Sequence, residues 1–178
     1  MEHIYQKIDG WFDFNILYKK VVDLVDENSH FVEIGAWKGK STSFLAVEIL
    51  KSRKNIKFDV VDTWKGSNEH QVHGEELYLD FLKNIEPVRH IINPIRKDSI
   101  TASNFYQNDS LDFVFIDASH DYESVKADIN AWYPKIKNGG VIAGHDYHPD
   151  WPEVKLAVDE FFKNSYFYVV CNCWVHRK

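Results

Sequence analysis

DFVFIDASHDYESVKADINAWYPKIKNGGVIAGHDY, residues 112–147, changes its hydrophobic period twice. DFVFID (112–117) is short and apolar without alternation, as a strand buried on both faces of a parallel sheet must be. Tyr122, Val125, Ile129, Trp132, Tyr133 and Ile136 then recur at helical spacing. GVIAG (140–144) returns to the strand pattern. A strand, a helix and a second strand in that order predict a parallel pair with a helical crossover. The same alternation extends in both directions. Upstream lie the helical stripe Phe14, Leu17, Tyr18, Val21, Leu24 and Val25, the run Phe31 to Ile34, the run FDVVD (58–62), a stripe from Leu77 to Ile85 and the run IINPI (91–95). Downstream, Val154, Ala157, Val158, Phe161 and Phe162 make a last stripe, and Tyr166 to Lys178 hold two short strands turned at Asn172. The pattern predicts an α/β fold with a doubly wound, mostly parallel, seven-stranded sheet. Helices cover both faces, and an antiparallel strand lies near the C-terminus.

Composition narrows the function classes. A chain of 178 residues suits one domain, and that length buries roughly 70% of the unfolded surface without staples. The formal net charge of -6 argues against nucleic acid, whose phosphates demand a basic face. No apolar run approaches the roughly 20 residues that span a bilayer, and no signal peptide opens the chain, so no membrane role is expected. Cys171 and Cys173 stand too close together for a scaffold disulfide, which suggests a reduced, cytoplasmic setting.

Ligands of a doubly wound sheet bind beyond the carboxyl ends of the strands, near the point where strand order reverses. The first such loop, VEIGAWKGKS (32–41), offers Gly35 and Gly39 for a tight turn and close backbone approach. It fails the dinucleotide fingerprint G-x-G-x-x-G, because Trp37 and Lys40 stand where glycines belong. It also fails as a P-loop, being one residue short between its glycines. A plain strand-to-helix turn with Ser41 as N-cap is the bland alternative. Asp62 ends the second strand about 23 residues beyond Gly39, close to the spacing at which a carboxylate accepts ribose hydroxyls. The same residue could merely cap the strand end. Asp98 and Ser99 follow the third strand, where either would also N-cap a helix from Ile100.

The E-x-G-x-x-x-G of Glu33, Gly35 and Gly39, followed by Ser41, resembles motif I of class I S-adenosylmethionine-dependent methyltransferases. The 112–147 stretch, with I-D-x-x-H-x-Y, Gly-Gly and G-H-D, resembles a small-molecule O-methyltransferase group related to cephalosporin-hydroxylase-like and macrocin O-methyltransferase-like enzymes. The resemblance runs from about Phe14 to Lys178 and departs from motif I at Trp37, the usual middle glycine. It implies a Rossmann-like domain over 1–178, with an N-terminal helical segment (1–30) and a cofactor-binding core (31–178). It implies S-adenosyl-L-methionine held by Glu33, Gly35, Ala36, Trp37, Gly39 and Ser41, with Asp62 on the ribose, Asp98 and Ser99 beside the adenine, and Asp117 at the cleft. Methyl transfer from a sulfonium is an in-line displacement, so positioning carries most of the work. A hydroxyl acceptor must also lose a proton, to a base or through a cation. Asp117 ends the fourth strand and His145–Asp146 end the fifth. In the resemblance, Asp117, His145 and Asp146 are the ligands of Mg²⁺ or another divalent cation, and Asp117, His120 and His145 are catalytic. His120 is the expected proton acceptor, against a bland role tethering its loop. Asp121 reads as a helix cap. Trp64, His70 and His73 lie in a lid-like loop, and the aromatic start around Tyr5, Trp11 and Phe12 is placed to cover the pocket or pair with another copy. The expected partner is a small-molecule acceptor, with self-association open. An NAD-dependent oxidoreductase and a non-catalytic adenosylmethionine-binding module are the alternatives.

Overall fold

The structure is a computed structural model that describes residues 1–66, 74–163, 165 and 167–178. His70 and His73, with most of the expected lid, lie outside the described residues. The strands are β1 (His30–Ile34), β2 (Lys57–Asp62), β3 (Ile92–Arg96), β4 (Leu111–Ile116), β5 (Ile136–Gly144), β6 (Tyr168–Val170) and β7 (Cys173–Arg177). The helices are α1 (Asn15–Leu24), α2 (Lys40–Ser52), α3 (Glu75–Asn84), α4 (Ser99–Ser103), α5 (Tyr122–Trp132) and α6 (Pro152–Phe162). Strand order is β3-β2-β1-β4-β5-β7-β6. The first five strands pair in parallel, β7 is antiparallel to β5, and β6 is antiparallel to β7. This is the mostly parallel, seven-stranded, Rossmann-like sheet that the sequence pattern predicts. Chain order reverses between β1 and β4, so the switch point of the sheet lies at the ends of those two strands.

Each face of the sheet has its own core. Phe31, Phe58, Phe113 and Phe115 pack with residues of α1, α2 and α3 on one side. Val32, Ile34, Val114 and Ile142 pack with α5 and α6 on the other. Alternate strand residues face opposite sides, which is why runs without polar alternation were needed.

Two boundaries differ from the sequence pattern. Ile136 has the spacing of the α5 stripe but opens β5. Pro134 cannot donate to a helical carbonyl and turns the chain through a 3-10 segment, Tyr133–Lys135, before the strand begins. The helix after the first loop begins at Lys40, with Gly39 as its N-cap at φ +86°, so Ser41 sits inside the first turn and does not cap. At the C-terminal hairpin both Cys171 (φ +50°) and Asn172 (φ +56°) are left-handed, as a two-residue type I′ turn demands. No helix among the described residues is long and apolar enough to cross a membrane.

Candidate active site

A cleft of about 1030 Å³ opens beyond the carboxyl ends of the parallel strands. Gly35 marks its floor, where the β1 and β4 loops touch. A Cβ there would lie 1.9 Å from the Asp117 carbonyl oxygen, and its φ of +86° suits only glycine. The glycine loop is held from outside by Asp62. One oxygen of that carboxylate accepts the Ala36 and Trp37 N–H groups at 2.9 and 3.0 Å, and the other accepts Trp64 N–H at 2.7 Å. Trp37 (φ +44°) and Trp64 (φ +48°) both adopt the left-handed region, rare for bulky side chains. The Trp64 indole N–H donates to the Trp37 carbonyl at 3.0 Å and completes the clamp. Trp37 therefore takes the backbone shape that a glycine would have supplied at this point of motif I.

Two expected cofactor residues act from beneath the cleft. Glu33 faces the α1–α2 side and does not line the cavity. It is buried, accepting hydrogen bonds from Tyr18 at 2.8 Å and from the Thr42 hydroxyl. Burial pushes its carboxyl up to about 7, against the pull of Thr42, Ser41 and Tyr18. Gly39 is also off the cavity wall, and a Cβ there would meet Ile85 and Phe81 at 2.9 and 3.0 Å. Gly35, Ala36, Trp37, Ser41, Asp62, Asp98, Ser99 and Asp117 do line the cleft. Asp98 also caps α4 by accepting Thr101 N–H at 2.8 Å, which holds its carboxyl below the usual range. Asp121 caps α5 through Ser124 N–H at 3.0 Å.

At the β4 and β5 ends the structure gathers Asp117, His120, His145 and Asp146 in one wall. His120 Nε2 lies 2.9 Å from Asp146 Oδ2, and its ring stacks on Trp151 with centroids 4.1 Å apart. His145 points to the other side. Its Nε2 pairs with Asp13 at 2.9 Å, and its Nδ1 lies 3.2 Å from Asp146 and 3.8 Å from Asp117. Burial alone would lower the His145 pKa, but Asp146, Asp117 and Asp13 push it up to about 9. Asp117 moves the other way for a carboxyl, raised to about 6 by burial despite the imidazoles beside it. Burial also works against ionised Asp146, yet His120 and His145 hold its carboxyl well below the usual range.

The geometry brings together a set that differs by one residue from the expected ligands. Asp117, His120 and Asp146 each offer one donor atom, all within 4.8 Å of one another. His145, the third expected ligand, has both ring nitrogens facing carboxylates instead. The same carboxylates favour the protonated ring.

Asp13 is a residue of the cleft wall that the sequence pattern missed. It lies 132 residues from its partner His145, and its other oxygen accepts from Asn172 Nδ2 at 3.2 Å. Gly10, Trp11 and Phe12 line the cleft beside it, Trp11 stacking on Trp37 at 5.6 Å, while Tyr5 packs against Phe12 and Phe44 away from the cavity wall.

Residues 32–147 match the protein family described as a methyltransferase domain. The chain belongs to that family. A methyltransferase family sets aside the oxidoreductase alternative. This methyltransferase domain is 28% identical over 115 residues to the uncharacterized protein y4gI of Sinorhizobium fredii. The match covers 65% of the chain but only 13% of that relative's length. Among solved structures it is similar to a Corynebacterium glutamicum protein, with TM-score 0.71 and 13% identity over 100% of this chain and 90% of that one. It is also similar to the O-methyltransferase NovP, with TM-score 0.68 and 19% identity over 93% and 79% of the two chains.

Proposed function

We propose that this domain transfers the methyl group of S-adenosylmethionine to a hydroxyl oxygen of a small acceptor. The observation that carries the reading is the convergence of Asp117, His120 and Asp146 at the cleft wall, beside the Gly35 floor. Such a set suits removal of a hydroxyl proton, which methylation of oxygen requires. The likeness to NovP, itself an O-methyltransferase, supports the same class of acceptor. A cleft of about 1030 Å³ is of the size that takes small molecules, which favours a small acceptor over a macromolecule. The net charge of -6 argues the same way against nucleic acid, and free Cys171 and Cys173 fit a cytoplasmic setting.

Two carboxylates and one imidazole fit a divalent cation, Mg²⁺ or a softer ion such as Mn²⁺. Bound there, the cation would lower the pKa of the acceptor hydroxyl. Asp117, His120 and Asp146 would hold it, while His145, between Asp13 and Asp146, would orient Asp146 from behind. A second reading rests on the His120–Asp146 pair, which positions an imidazole as general base without any ion. Methyl transfer to a panel of catechols, phenols and sugar hydroxyls, with and without EDTA, separates the two. Loss on chelation and recovery with Mg²⁺ or Mn²⁺ supports the cation. Full activity in EDTA together with loss in His120→Ala supports the base. No transfer to any hydroxyl, with transfer to amines or thiols, refutes the oxygen acceptor.

A further inference from the structure

Trp37, where the glycine loop departs from motif I, carries a ring whose contacts lead out of the loop. Gly10 lies against that ring. A Cβ at Gly10, whose φ of +124° already disfavours a side chain, would stand 2.6 Å from Trp37 Cζ3. Trp11 stacks on the same ring, and Lys38 Nζ lies 4.7 Å from its centroid while pairing with Asp9 at 2.9 Å. Lys40, which opens α2, donates from Nζ to the Gly10 carbonyl at 2.8 Å. The glycine loop thus grips residues 9–11. Three residues past Gly10, Asp13 grips the wall at the β5 end, through His145 and Asn172.

Residues 9–13 join these two holds as a strap. They form no backbone–backbone hydrogen bond with another described residue, so side chains keep the strap docked. It can release and dock again without breaking a helix or a strand. It also has little slack. Gly10 to Asp13 reach at most about 10 Å, and β1 and β5 stand two strand spacings apart with β4 between them, again about 10 Å. Phe12 rests on Phe44 of α2 with centroids 5.0 Å apart, so the middle of the strap follows the helix that the glycine loop leads into.

We propose that Trp37 is the latch of this strap, and that occupation of the glycine loop is passed through it to the wall at the β5 end. The inference rests on the methyl donor occupying the cleft beside that loop. A ligand that orders the loop fixes the Trp37 ring, and the ring holds Gly10 and Trp11. The docked strap then sets Asp13 against His145 and the β6–β7 hairpin. Both sites bias one element with docked and released states, which is what coupling between them requires. Trp37 is a positioning residue in this role, since it acts on the wall only through the strap. A glycine at 37 would suit the same positive φ and keep the backbone bonds to Asp62 and Trp64, but it would offer the strap no ring.

Amide exchange with and without saturating S-adenosylhomocysteine tests the proposal. In wild type the ligand should slow exchange by about tenfold or more over residues 9–13, and also over 171–173, which lie outside the cleft lining. In Trp37→Gly, saturated in its turn, the ligand effect at both segments should fall to within about twofold, while the glycine loop stays protected. Gly10→Ala should do the same from the other side of the contact, and it leaves Trp37 in place should Trp37→Gly fail to fold or to bind. A ring that served stability alone would change exchange equally in the free and bound protein. The ratio between the two would then keep its wild-type value in both variants, which would overturn the proposal. So would binding by wild type with no protection of the strap. Failure of wild type to bind S-adenosylhomocysteine would instead refute the placement of the donor on which the proposal rests.

Discussion

Replacing Asp62 by alanine separates two roles that the sequence pattern merges. A residue whose carboxylate only receives ribose hydroxyls would leave the ligand-free protein unchanged. The structure gives Asp62 three backbone donors, Ala36, Trp37 and Trp64, all within 3.0 Å. Hydrogen bonds to a charged group contribute about 1.5–3 kcal/mol each, and these N–H groups border an open cleft where water can replace part of the loss. Taking the low end, and allowing that bonds sharing one carboxylate are not additive, Asp62→Ala should destabilise the free protein by about 3 kcal/mol. For a chain of this size that is a fall in Tm of roughly 6–12 °C. Two tryptophans at positive φ depend on the clamp, so the glycine loop should loosen and donor affinity should fall about tenfold or more. Thermal melting without ligand, followed by calorimetry with S-adenosylhomocysteine at a temperature where both proteins are folded, reads both quantities. A ligand-free Tm within roughly 2 °C of wild type would refute the clamp and return Asp62 to a purely ligand-contacting role.

Glu33 makes a prediction with a definite sign. Its folded pKa of about 7 lies above the ordinary carboxyl value of 4.5, so its ionisation works against the folded state as pH rises from about 4.5 through 7. Glu33→Gln should remove a fall of about 3 kcal/mol across that window, and parallel urea melts at pH 5 and pH 8 would show no difference in slope if the reasoning is wrong. Asp13→Ala should free the N-terminal segment by removing its ties to His145 and Asn172. Amide exchange over residues 10–14 should rise roughly ten- to hundredfold, and unchanged protection there would show that the aromatic contacts alone hold the segment.

The strands that build the cleft were legible because a sheet covered on both faces leaves continuous apolar runs. Phe31–Ile34, 58–62 and 112–117 match β1, β2 and β4 to within a residue or so, and the mostly parallel order followed from the helical stripes between them. What failed was local. Ile136 satisfied the helical period, but Pro134 had already ended the helix, and periodicity does not register a missing N–H. Trp37 looked like a defect in motif I because a bulky residue rarely takes positive φ. The compensating bonds come from Asp62 and Trp64, about 25 residues away, and cannot be read from the loop itself. The separate surroundings of His120 and His145 were hidden for a related reason. His145 and Asp146 are neighbours in sequence, yet consecutive residues at a strand end face opposite sides. His145 therefore turns to Phe14 and Asp13, and Asp146, at φ +58°, turns to His120.

These details share one physical consequence, which concerns when the site forms. Each loop of the cleft is fixed by a contact from another element: Asp62 to the glycine turn, Gly35 packed against the Asp117 carbonyl, Asp13 to His145, Ser99 to Trp132. None of these contacts lies within one helix or one strand, so none can exist before the parallel pairing of β1 with β2 and β4 sets the register. A register slip of one residue would turn Glu33 toward the opposite core and carry Gly35 away from Asp117. The buried Glu33 guards against that slip, because only the observed register gives its carboxyl both the Tyr18 and the Thr42 hydroxyl. An acid that loosens the fold as it ionises is thus retained at the root of the glycine loop, where its hydrogen bonds lock β1 to α1 and α2 and hold the cofactor turn above them.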